Sequence, residues 1–243
     1  LNCIALASVF FFSCNNSQTS ATEKRDSTVA VNLKEDTITY SGDNITMNGY
    51  VVYSDTLKEK RPAVLVVHEW WGLNDYSKMR ARQLADLGYV AMAVDMFGNG
   101  QTASNPDDAG KLAGPFYQNP QLAKTRLDAA LNKLKTYPVV DTGKIAAIGY
   151  CYGGYVVLNA AKLGEDLKGV VSFHGNLGGA RPDKNLLKAK VLALHGDADP
   201  IVKPEEVAQF RRQMDSIGAD YKFKSYPGAK HAFTNPAADS VEN

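Results

Sequence analysis

The stretch IAAIGYCYGGYVV, residues 145 to 157, restricts the fold of this chain more than any other. Ile145 to Ile148 is a short apolar run suited to a buried strand, while Tyr155 to Lys162 has helical composition, so the backbone must reverse sharply around Cys151. A turn this tight holds its central residue at positive φ. It also needs small neighbours two positions before and two after, where Gly149 and Gly153 stand. Such an elbow lifts the Cys151 side chain above the sheet at a helix N-terminus, where the partial positive charge favours an anion. A buried structural cysteine in a Gly-rich bend fits the same five residues, so partners elsewhere in the chain must separate the two readings.

Two later stretches supply partners in the chain order nucleophile, acid, base. In VLALHGDADPIV an apolar strand, Val191 to Leu194, runs into a turn with Asp197 and Asp199. Asp199 is the better orienting carboxylate, because Asp197 directly follows Gly196 and can satisfy backbone amides in the turn. In YKFKSYPGAKHAF a strand, Tyr221 to Tyr226, is followed by a loop presenting His231 as the base. Before them, PAVLVVHEWWGLN places a buried strand, Pro62 to Val67, ahead of a loop whose Trp70 N–H, with that of Tyr152, suits an oxyanion hole. Glu69, between His68 and two tryptophans, is a costly charge unless something uses it; a solvated loop carboxylate is the plainer alternative.

HEWWGLN, GYCYGG, HGDADPIV and GAKHAF, in this order and spacing, resemble the dienelactone hydrolase family, small α/β-hydrolases with a Cys, His, Asp triad. The likeness runs from about residue 35 to the end. It implies Cys151 as nucleophile through a thioacyl intermediate, His231 as base, Asp199 as its orienter and Glu69 as the carboxylate that contacts the resting thiol. It implies no cofactor and no metal. The chain departs from the family at two positions where the eponymous enzyme clamps a carboxylate with arginines: here they are Asn99 and Asn235, which cannot form a charged bidentate clamp. A neutral or differently charged ester or lactone is therefore expected, in a pocket to which Trp70, Trp71, Phe97 and Tyr152 contribute aromatic surface.

Alternating strand and helix patterns predict an α/β fold. Its expected form is a single doubly wound, mostly parallel sheet flanked by helices, with an antiparallel N-terminal hairpin around Gly42 to Asn44. Helices are expected at about Ser77 to Leu87, Leu122 to Lys135, Tyr152 to Lys162 and Pro204 to Ile217. Residues 98–120, polar and rich in Gly and Pro, read as a long connection over the active edge and a candidate lid or specificity region.

A chain of 243 residues with 44% apolar and 22% charged residues suits one such domain, and a net charge of +1 without a basic block argues against nucleic-acid binding. The apolar run CIALASVFFF is followed by SCNNSQTSATEKRDSTVAVN. This reads as a truncated signal peptide over 1–13, a lipidated Cys14, and a flexible tether over 14–34 ahead of the domain at 35–243, whose final helix looks to be missing. The expected address is the bacterial cell envelope, facing the periplasm or exterior, with the membrane touched only through the lipid. Two rival classes remain: a metal-dependent hydrolase using His68, His174, His195 and His231, which lacks HxH or HExxH spacing, and a tethered binding protein without chemistry.

Overall fold

Asp43 and Asn44 both adopt positive φ, 55° and 56°, as a two-residue type I′ hairpin turn requires. They join the antiparallel strands β1 (Leu33–Gly42) and β2 (Ile45–Ser54). The computed structural model describes residues 32–56 and 58–238. Cys14, the expected signal segment and most of the expected tether lie outside them. β1 already begins at Leu33, ahead of the expected domain start at 35.

The remaining strands are β3 (Arg61–Val67), β4 (Val90–Val94), β5 (Val140–Tyr150), β6 (Gly169–Phe173), β7 (Lys190–Gly196) and β8 (Tyr221–Tyr226). They complete one sheet in the order β1-β2-β4-β3-β5-β6-β7-β8. β2 meets β4 antiparallel, and every pairing from β4 to β8 is parallel. The chain moves outward from β3 to β4 and then returns to the other side of β3 to lay down β5. This reversal opens a crevice at the carboxyl ends of β3 and β5, where Glu69 and Cys151 follow.

Five helices, α1 (Asp75–Asp86), α2 (Pro106–Gln118), α3 (Pro120–Lys135), α4 (Tyr152–Lys162) and α5 (Pro204–Ser216), sandwich the sheet. The strand period of two sorts the side chains: Ala91 and Ala93 of β4 pack with Ala81 and Ala85 of α1, while Val90, Met92 and Val94 join the larger core with Leu127, Val156 and Phe210. This is the doubly wound arrangement expected. Two helices start earlier than their periodicity suggests, because Asn74 and Asn119 cap the amides of Ser77 and Gln121 at 3.3 and 3.1 Å. No described helix is long and apolar enough to cross a membrane.

One expectation fails. Residues 98–120 are not an extended connection, for most of the segment is α2. Gly110, Gly114 and Pro115 lower its intrinsic propensity, yet Ala109, Ala113 and Phe116 bury one face in the core, and packing outweighs propensity. A local signal was present: Asn105 caps the amide of Asp108 at 3.0 Å, Pro106 fills the first turn, and Asp107 and Asp108 face the positive helix end.

Candidate active site

Cys151 sits between β5 and α4 at φ 52° and ψ −116°, the strained elbow that the glycine spacing requires. A Cβ on Gly149 would lie 2.0 Å from the Gly153 carbonyl oxygen, and one on Gly153 would lie 2.4 Å from that of Val67. Strand and helix can approach this closely only without side chains at those positions.

The loops after β7 and β8 bring Asp199 and His231 to the same edge. His231 Nε2 lies 3.1 Å from Cys151 Sγ, and His231 Nδ1 lies 2.8 Å from Asp199 Oδ2. The other carboxylate oxygen, Oδ1, accepts the amides of Ile201 and Val202 at 2.8 and 3.2 Å. Asp199 is therefore fixed on both oxygens. Asp197 instead accepts the Gly228 amide at 2.5 Å and serves the turn. Burial, the largest influence on His231, opposes a charged ring; hydrogen bonds with Asp199 and Cys151 override it and raise the ring from 6.5 to about 10. Asp199 is held below the usual carboxylate range: burial pushes it up, but His231 and the two amides outweigh that.

The family resemblance implies a contact between Glu69 and the resting thiol, and the structure differs. Glu69 Oε2 accepts from Asn235 Nδ2 at 3.2 Å, while the hydrogen bond of Cys151 Sγ is with His231. Burial raises the Glu69 carboxyl, and the Asn235 amide opposes the shift. The backbone amides of Trp70 and Tyr152 donate to no protein acceptor among the described residues, so both remain open to a ligand oxygen.

His174 bridges the elbow to the histidine loop. Its Nδ1 shares the Cys151 amide, at 3.1 Å, with the Phe173 carbonyl at 2.9 Å, and its Nε2 lies 2.8 Å from Thr234 Oγ1. Thr234 continues to the Tyr76 hydroxyl at 3.1 Å. Burial above all lowers the pKa of this ring to about 3.

A cavity of about 660 Å³ opens over Cys151 and His231, and Glu69, Trp70, Trp71 and Asn235 are among the residues that line it. Three expected members stand elsewhere. Phe97 is only 5% exposed and packs edge-on to His68 at 4.8 Å, beneath the cavity. The Tyr152 ring lies with it in the core, so this residue offers the cavity edge its amide alone. Asn99 is exposed and donates its amide to Thr46 of β2 at 2.7 Å. The buried Asp95 causes this, for it accepts the amides of Gly98 and Gly100, both at 2.8 Å, and curls the chain toward the sheet edge. Sequence reasoning missed Tyr117, Tyr155 and Glu206, which supply cavity wall from α2, α4 and α5, and Ile201, which supplies it from the loop between β7 and α5.

Comparison with known proteins gives the family. Residues 47–243 match the model of the dienelactone hydrolase family. A protein of Aquifex aeolicus assigned by name to the carboxymethylenebutenolidases is 30% identical over 209 residues, covering 84% of this chain and 89% of the relative. A solved dienelactone hydrolase-like promiscuous phosphotriesterase from metagenomic libraries is 33% identical, with a TM-score of 0.82 over 86% of this chain and 87% of that one. The dienelactone hydrolase of Anabaena variabilis, 20% identical with a TM-score of 0.63 over 86% of this chain and 92% of its own, shares the fold. The chain belongs to the dienelactone hydrolase family of α/β-hydrolases, and it is a hydrolase of carboxylic esters or lactones.

Proposed function

We propose that the protein cleaves a neutral or cationic ester or lactone through a Cys151, His231, Asp199 triad. The observation that carries this reading is the pair of contacts on His231, 3.1 Å to Cys151 Sγ and 2.8 Å to Asp199 Oδ2. In the proposed course, Sγ adds to the carbonyl carbon as a thiolate, and the carbonyl electron pair moves to an oxygen held by the amides of Trp70 and Tyr152. Collapse expels the alcohol, which takes its proton from the His231 imidazolium and leaves a thioacyl enzyme. Water then gives a proton to His231 and attacks the thioester. Collapse of this second adduct frees the acid, and Cys151 and His231 return to their starting state.

The charge preference rests on the absence of lysine and arginine from the described residues that line the cavity, and on the presence there of Glu69 and Glu206. A buried anion would shed its hydration for little return. The test is intact-mass analysis during turnover of an aryl ester. An acyl adduct confined to the Cys151 peptide is the expected result; turnover by a Cys151→Ala variant at the wild-type rate would refute the triad.

A second reading follows from the 33% identical phosphotriesterase: a neutral aryl phosphotriester is a further candidate substrate for the same nucleophile. Equal loss of both activities on alkylation of Cys151 is the expected sign of one site. For location we propose attachment to the cell envelope through Cys14, supported by the apolar run and the polar tract that flank it.

A further inference from the structure

Glu206 is a cavity carboxylate that the proposed triad does not use. It stands in the first turn of α5, and its Oε1 accepts the amides of Leu177 at 2.5 Å and Gly178 at 3.1 Å, which fixes the carboxylate against the loop forming that wall. Its Oε2 makes no hydrogen bond among the described residues, and Glu206 lines the cavity. Lys162 is 2% exposed and spends its amine on the carbonyls of the same two residues, at 2.8 and 3.0 Å. It sits behind the wall and cannot reach a ligand.

Around this carboxylate the cavity is aromatic. Trp70 and Trp71 pack edge to face at 5.1 Å, and the rings of Tyr117 and Tyr155 lie 4.6 Å apart. The rim is open, since Tyr117 is 39% and Ile201 52% exposed. Indole and phenol faces attract an alkylated ammonium, whose carbon substituents bury against apolar wall while its charge meets a carboxylate. A neutral group gains only the apolar part, and a carboxylate meets like charge.

We propose that this cavity selects esters whose alcohol portion carries an organic ammonium group, with Glu206 as the fixed counter-charge. The proposal rests on the ester-hydrolase reading and deepens it. Choline and its uncharged carbon isostere, 3,3-dimethylbutan-1-ol, separate charge from shape. The full domain is alkylated at Cys151 with iodoacetamide in the presence of each, and the protection constants are compared. Choline is expected to protect at about tenfold lower concentration at low salt, the advantage shrinking as salt rises. Glu206→Gln keeps an oxygen for the two amides and removes the charge, so it should bring the ratio of the two constants close to one. Equal or better protection by the alcohol, or a preference for choline that survives Glu206→Gln, would overturn the proposal. Turnover of acetylthiocholine and 3,3-dimethylbutyl thioacetate is measured alongside. Failure of these and of simple aryl esters to turn over would overturn the hydrolytic reading of the site alone, because protection is read without turnover.

Discussion

His174 accepts the backbone amide of Cys151 at its Nδ1, 3.1 Å away, while the opposite ring nitrogen meets Thr234 at 2.8 Å, three residues beyond His231. The ring is a strut between the elbow and the histidine loop. His174→Ala should lower kcat by about tenfold or more with little change in KM, since the strut sets the approach of His231 to Cys151 without touching substrate. Thr234→Val cuts only the far bond and should cost about 1 kcal/mol of stability with a severalfold loss in kcat. A rise in KM at constant kcat would show that His174 shapes binding instead.

Glycine at 149 and 153 is a steric demand, with a Cβ on Gly149 meeting the Gly153 carbonyl oxygen at 2.0 Å. Gly149→Ala and Gly153→Ala should each destabilise the fold by about 3 kcal/mol and abolish turnover, read by urea denaturation and ester assay. Wild-type stability in either variant would mean that the elbow is looser than described.

The His231 ring, raised from 6.5 to about 10, keeps its charge through neutral pH. Its contribution to stability is therefore complete below about pH 6.5 and is lost as pH rises toward 10. Imidazole titration by NMR should find this high value in wild type and lower values in both Asp199→Asn and Cys151→Ala, since each variant removes a hydrogen bond that raises it. A ring titrating near 6.5 in all three proteins would contradict the pairing.

Asn235 hydrogen-bonds Glu69 at 3.2 Å inside the cavity, whereas Asn99 faces the sheet edge. Asn235→Arg should pair with Glu69, offset one of the two cavity carboxylates and raise kcat/KM for carboxylated lactones relative to neutral ones severalfold. Asn99→Arg should leave that ratio unchanged. An equal effect of the two substitutions, measured on matched substrates, would place Asn99 in contact with substrate.

Cys14→Ala in a full-length precursor should release the protein from the membrane fraction into the soluble fraction, while the unaltered precursor stays bound. Equal release of both forms would mean that Cys14 bears no lipid.

The sequence by itself determined the features that are local in the chain. Gly149, Cys151 and Gly153 encode the elbow because its sterics span five residues. β-branched runs encode the parallel strands because burial on both faces leaves no polar alternation. Asp199 and His231 were legible because each stands in the loop after a strand, and a parallel sheet delivers all strand ends to one edge. The Asn105 to Asp108 cap of α2 was equally local, but glycines and Pro115 masked the helix behind it.

Tertiary structure decided the rest, namely which side chains from distant segments share a space. Phe97 and Asn99 are neighbours in sequence to a strand end, yet the amides gathered by the buried Asp95 turn one into the core and the other to the sheet edge. Tyr117 reaches the cavity because Ala109, Ala113 and Phe116 dock α2, and Glu206 reaches it because Phe210 and Met214 dock α5. His174 joins Cys151 to Thr234 only because β5 and β6 lie side by side and the loop after β8 folds back over them. Contacts of this kind arise from packing between elements far apart in the chain, and no short window of sequence contains both partners.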